Sequence, residues 1–129
     1  MPSVFAGSVG LFLDSGLSTG QVQPAIDAFN SVYGRKPSAS EVSSWERSWP
    51  ALAAALEVAD MHGCGILLEY QLPMTSQRVD CIVTGAGRDG TDSAVVIELK
   101  QWVDGLPSEI DDCVEVRGED TLHPPLFFR

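Results

Sequence analysis

Two short apolar runs near the middle of the chain set its pattern. The first is Arg78-Val-Asp80-Cys-Ile-Val-Thr-Gly85, and the second is Ala94-Val-Val-Ile-Glu98-Leu-Lys100-Gln-Trp102. They flank a polar, glycine-rich turn at residues 85–93 and read as two strands joined by a loop. Side chains alternate faces along a strand, so Arg78, Asp80 and Ile82 share one face of the first, and Val96, Glu98 and Lys100 one face of the second. With Thr84 opposite Ala94, Asp80 lies opposite Glu98 and Arg78 opposite Lys100. A slip of one residue would throw the two acids onto opposite faces. Cys81 falls on the face away from Asp80, in the core.

Helical spacing dominates the chain before these runs. Ser38-x-x-Glu41 is a capping box, and Val42, Trp45, Trp49, Leu52, Ala53 and Leu56 follow on one stripe of a long amphipathic helix. Both indoles fall on the buried stripe, Glu46 lies off it as a solvated charge, and Pro50 removes one intrahelical bond and should kink the helix. Gly63 and Gly65 break it. An earlier helix carries Val22, Ile26, Phe29 and Val32, with Ser18-x-x-Gln21 as its cap, Pro24 near its start and Gly34 at its end. Residues 1–17 read as a short irregular or helical piece.

Residues 66–72 form a further strand, ended by Pro73, with residues 74–77 turning into the Arg78 strand. Here the register is open. A four-residue loop pairs Glu69 with Asp80, whereas a five-residue loop pairs it with Cys81 and turns it away. After Trp102, Gly105-Leu-Pro107 reads as a turn and residues 110–116 as a fourth strand. The closing His123-Pro-Pro-Leu-Phe-Phe-Arg129 puts three large apolar residues where they need a surface to bury against.

Composition narrows the class. The chain has 129 residues, 44% hydrophobic and 20% charged, which suits one soluble globular domain with a modest core. Its net charge is −10, from 18 acidic and 8 basic residues, which opposes tight non-specific nucleic-acid binding by this segment alone. Cys64, Cys81 and Cys113 are odd in number and lack paired spacing, so they fit a reducing cytoplasm. A zinc set of His62, Cys64, Cys113 and His123 lacks the usual tight spacing. No signal peptide is expected from residues 4–13, no apolar run reaches membrane-spanning length, and no phosphate-binding GxxxxGK[ST] loop is present.

The paired acids carry the candidate chemistry. At about 5 Å and an effective dielectric of about 20, two carboxylates repel by roughly 3 kcal/mol. A divalent cation between them reverses that sign, and Mg²⁺ prefers carboxylate oxygens. Lys100, one pleat further on, is placed to hold a water or a phosphate oxygen.

Asp80 followed by Glu98-x-Lys100 resembles the PD-(D/E)xK nuclease signature. The wider string is Glu69-Tyr-Gln-Leu-Pro73, Arg78-Val-Asp80, Gly85 and Glu98-Leu-Lys100-Gln101-Trp102, with Ser44-Trp45-x-x-Ser48 upstream and His123-Pro124 downstream. It is similar to the N-terminal nuclease-like domain of bacterial proteins that carry a Schlafen-group-3-type superfamily 1 helicase ATPase domain. The resemblance spans about residues 38–125. It implies an α/β (α+β) restriction-endonuclease-like fold: N-terminal helices, then a three- to four-stranded mixed sheet of αβββ type. The family's C-terminal helix is missing, as in a fragment of a longer protein, leaving an exposed apolar patch. It also implies metal-dependent phosphodiester hydrolysis. Asp80, Glu98 and the Leu99 carbonyl would hold Mg²⁺ or Mn²⁺, Lys100 would orient water, and Glu69 would join as a site acid. Arg78, unless ion-paired to Asp80, and Gln101 would contact the DNA or RNA substrate, and a helicase part would be the partner.

Two other classes compete. A non-catalytic module that docks nucleic acid or a helicase partner would keep these residues as relics, in line with the acidic surface. A small acidic antitoxin or immunity-type binder fits size and charge alone.

Overall fold

The computed structural model describes residues 2–86 and 89–100, together with the backbone of Gly105–Pro107, Val114–Val116 and Leu122–His123. The chain is a mixed α+β fold in which helices cover one face of a four-stranded antiparallel sheet.

The N-terminal piece divides in two. Strand β1 (Phe5–Ser8) pairs antiparallel with a later strand, and Ser8 then caps helix α1 (Val9–Asp14) by accepting the Leu11 N–H at 3.0 Å. The expected irregular or helical piece is thus half right: its first residues form an edge strand. The next turn, Gly16–Thr19, is a 3₁₀ helix. Ser18 does not cap the following helix, because its hydroxyl donates to the Leu13 and Ser15 carbonyls, both at 2.8 Å. Helix α2 (Gln23–Tyr33) instead starts at Gln23, with Pro24 in its first turn, and closes at Gly34, which takes the left-handed φ of 71°. Its buried face carries Val22, Ala25 and Phe29, while Val32 is 43% exposed, so the stripe is rotated from the one expected.

Helix α3 (Ala39–Val58) opens on the expected capping box, with Glu41 N–H donating to the Ser38 hydroxyl and Ser38 N–H to the Glu41 carboxylate. Trp45, Trp49, Leu52, Ala53 and Leu56 are buried, and the two indoles stack with centroids 5.0 Å apart. Burying Leu52 and Leu56 contributes roughly 1.5–3 kcal/mol each. The helix continues through Pro50, whose missing N–H leaves the Glu46 carbonyl without its intrahelical donor. Gly20 packs there with φ 88°, where a Cβ would come within 3.3 Å of that oxygen.

Strands β2 (Gly65–Gln71), β3 (Arg78–Ala86) and β4 (Asp92–Ile97) follow as a meander, giving the sheet order β1-β2-β3-β4. Every pairing among the described residues is antiparallel, so the sheet is not the mixed one expected. Ile66, Leu68, Cys81, Val83 and Ile97 face the core, with Cys81 fully buried as the alternation requires. At Gly65 any Cβ would overlap the Thr84 hydroxyl across the β2–β3 pair. Gly105–Pro107, read as a turn, is strand β5. With β6 (Val114–Val116) and β7 (Leu122–His123) it makes a second, three-stranded antiparallel sheet. Beside β4 an apolar groove of about 760 Å³ is lined by Ala55, Val58, Met61, Val95, Val96 and neighbours. Val58, Val95 and Val96 are exposed there. Among the described residues no helix is long and apolar enough to cross a membrane.

Candidate functional site

The β3–β4 register is the one read from the spacing: Thr84 lies opposite Ala94 and Cys81 opposite Ile97. The strand is shorter than the apolar run, however. β4 ends at Ile97, one residue short of Glu98. The physical reason lies in Asp80. Its Oδ2 accepts the Leu99 N–H at 2.7 Å, so a side chain takes the donor that a continued ladder would have paired with backbone. Asp80 and Glu98 are therefore neighbours at the open end of the hairpin rather than a ladder pair. Glu98 is exposed and binds the Lys100 ammonium, Nζ to Oε1 at 2.6 Å.

Asp80 is half-buried, and its carboxyl is held above the usual range. Burial is the main cause; the Glu98 charge adds to it, and the Leu99 N–H, Lys100 and Arg78 oppose it. Such a donor set suits a hard divalent cation. Mg²⁺ is held through one or two carboxylates while keeping several waters, and its charge would offset the Glu98 repulsion that adds to the effect of burial on Asp80. Asp80 and Glu98 are the two acids that could hold it. Among the described residues no three His, Cys, Asp or Glu side chains converge as a metal site.

Glu69 is placed elsewhere. Gln71 pairs with Arg78, and the Leu72 N–H donates to the Gln77 carbonyl, so the β2–β3 loop is the four-residue one and Glu69 is in register with Asp80. Yet Glu69 has φ 52°, a left-handed conformation inside a strand, and drops out of the ladder. Its carboxylate turns into the core, Oε1 accepting the Trp45 indole N–H at 3.2 Å and Oε2 the Arg78 Nη1–H at 3.0 Å. The Tyr33 hydroxyl donates to the Glu69 carbonyl. Burial pushes this carboxyl up to about 7, against the Arg78 charge and the Trp45 hydrogen bond, with the Asp80 and Glu41 charges adding to the rise.

Arg78 is committed to the same cluster. It pairs with Glu41 at 2.6 Å and Glu69 at 3.0 Å, and its guanidinium lies 4.8 Å from the Phe29 ring centroid and 5.4 Å from that of Tyr33. Its forks are taken by two carboxylates, and it makes no ion pair with Asp80 among the described contacts. Glu41 entered the sequence reading as a cap, and Trp45 as a core residue and a member of the Ser44–Ser48 string. Their contacts with Arg78 and Glu69 span 37 and 24 residues, which no local pattern encodes. Glu46 is exposed, as expected. Gln101 and Trp102 lie outside the described residues.

The Cys81 thiol is pushed up to about 12 by burial and by Asp80, which leaves it unreactive. Within the imagined zinc set, His62 turns to Asp60 at 3.3 Å, while Cys113 and the His123 side chain lie outside the described residues. Comparisons with protein-family profiles, curated proteins and solved structures return no match.

Proposed function

We propose that this chain is a nuclease-like domain of the PD-(D/E)xK type, acting on phosphodiester bonds of nucleic acid with Mg²⁺ or Mn²⁺. The observation that carries this reading is the end of the β3–β4 hairpin. There the Asp80 carboxylate is fixed to the Leu99 N–H, beside a Glu98–Lys100 ion pair. The order α3-β2-β3-β4 supports it, since a helix followed by an antiparallel meander is the αβββ half of the restriction-endonuclease-like fold.

Each residue has a task in this reading. Asp80 and Glu98 hold the cation. Glu98 also positions Lys100, whose ammonium orients a water and steadies charge developing on a phosphate oxygen. When bound, the cation supplies Lewis-acid polarisation and a water of lowered pKa. The net charge of −10 calls for basic surface from a partner, for which a helicase ATPase part is the candidate. The free thiols of Cys64 and Cys81 fit a reducing, cytoplasmic setting.

A second reading is favoured by one observation. Glu69 and Arg78 are bonded to each other, to Trp45 and to Glu41, so their polar atoms are engaged within the fold. A docking module with a relic site would look the same. Incubation of the chain with single- and double-stranded DNA and RNA, with and without Mn²⁺, separates the two. Metal-dependent cleavage that Asp80→Asn and Lys100→Ala abolish supports the nuclease. Binding without turnover supports docking, and equal cleavage by both variants assigns the activity to a contaminant.

A further inference from the structure

We propose that the open edge of β4 and the apolar groove beside it form a docking site for an extended segment of a partner protein, apolar at alternate positions and flanked by lysine or arginine, which adds a strand to the sheet. The proposal is independent of the metal-site reading. The edge is the first observation. β4 ends the sheet order β1-β2-β3-β4, and among the described residues it pairs only with β3. Sheet edges are ordinarily guarded by a charge, a proline or a bulge. The inner stretch Ala94-Val95-Val96-Ile97 holds none of these, and its register with β3 runs without a break. Val95 and Val96 are 54% and 61% exposed.

The groove is the second observation. Ile97 faces the core, so alternation places Val95 on the helix side of the sheet. There α3 carries a second apolar stripe, Ala51, Ala54, Ala55 and Val58, at i, i+3, i+4 and i+7. The last three line the groove, and Val58 is 89% exposed. A strand laid beside β4, about 4.8 Å away, points alternate side chains into that space. Backbone bonds to the β4 edge supply affinity, and the groove selects apolar side chains. Charge chooses the occupant. Glu57 and Asp60 stand between lining residues, Asp92 opens β4, and all three are exposed. The nearest base in sequence, Lys100, is held by Glu98. A second copy would set acids against acids, each chain carrying a net charge of −10, whereas lysine or arginine flanks complement them.

The test uses two synthetic peptides with one core of alternating valine and threonine, flanked by paired lysines in one and by paired glutamates in the other. Titration of the full chain is followed by fluorescence anisotropy and by hydrogen exchange of the β4 amides that do not bond to β3. The lysine-flanked peptide is expected to protect those amides and to bind at least about tenfold tighter than the glutamate-flanked one, with the gap closing as salt rises. Val95→Glu and Val58→Glu are each expected to weaken it about tenfold, although each adds an attractive charge. Absence of binding, equal affinity for the two peptides, tighter binding to either variant, or binding that leaves the β4 amides unprotected overturns the proposal. So does protection of those amides in the chain alone, because a second copy or another segment of this chain then covers the edge.

Discussion

Replacing Glu69 with glutamine isolates the charge that the core carries. One guanidinium serves two carboxylates, and they are not equal. Arg78 lies 2.6 Å from Glu41 and 3.0 Å from Glu69. Burial raises Glu41, but the Ser38 N–H, Arg78 and Arg35 outweigh it and hold that carboxyl down to about 2. Glu69 is deeper, its side chain 12% exposed, and burial wins, raising it from an ordinary 4.5 to about 7. Between those two values the folded protein keeps a proton that the unfolded chain has released. Stability from this group is therefore complete below about pH 4.5 and is lost as pH rises through about 7. At about 1.36 kcal/mol per pH unit, the loss from about pH 5 to about pH 8 is roughly 2–3 kcal/mol. Glu69→Gln carries no such proton. Urea unfolding of both proteins across that range should show the wild type falling by roughly 2–3 kcal/mol more than the variant. Parallel stability–pH curves would refute the claim that Glu69 is a buried acid short of counter-charge.

Three further outcomes follow from the packing. Arg78→Met leaves two acids without their shared cation; discounted for the 22% exposure of Arg78, it should cost about 2–3 kcal/mol near pH 8 and less near pH 5, measured by urea unfolding. Gly65→Ala drives a methyl into the Thr84 hydroxyl and should cost about 1–3 kcal/mol, with Thr84→Ala in the double variant restoring most of it; no rescue would contradict the β2–β3 register. Trp49→Ala, at a fully buried position stacked on Trp45, should cost about 3–5 kcal/mol in thermal or urea unfolding.

Local patterns carried the elements whose signals are local. The Ser38–Glu41 capping box, the stripe from Trp45 to Leu56, the Gly34 stop and the Thr84–Ala94 register all depend on residues close in sequence or on strict alternation across one short loop. What escaped the pattern depends on side chains acting in place of backbone or reaching far along the chain. β4 stops at Ile97 because Asp80 takes the Leu99 N–H, and a strand's apolar period holds no trace of that substitution. β1 is short and built of Phe5, Ala6, Gly7 and Ser8, with too little alternation to announce a strand. Ser18 and Gln21 match a capping signature, but the chain closes a 3₁₀ turn there and the hydroxyl bonds backward. Arg78 has the right spacing to face Lys100, yet two rings and two acids on other elements claim it.

The most direct measurement of the central claim is paramagnetic broadening by trace Mn²⁺ in the amide NMR spectrum of the chain. If Asp80 and Glu98 share a cation, the amides of Asp80 and of Glu98, Leu99 and Lys100 broaden first, and Asp80→Asn removes the effect. Broadening spread evenly over the acidic surface, or unchanged in Asp80→Asn, would contradict a metal site at the end of the β3–β4 hairpin.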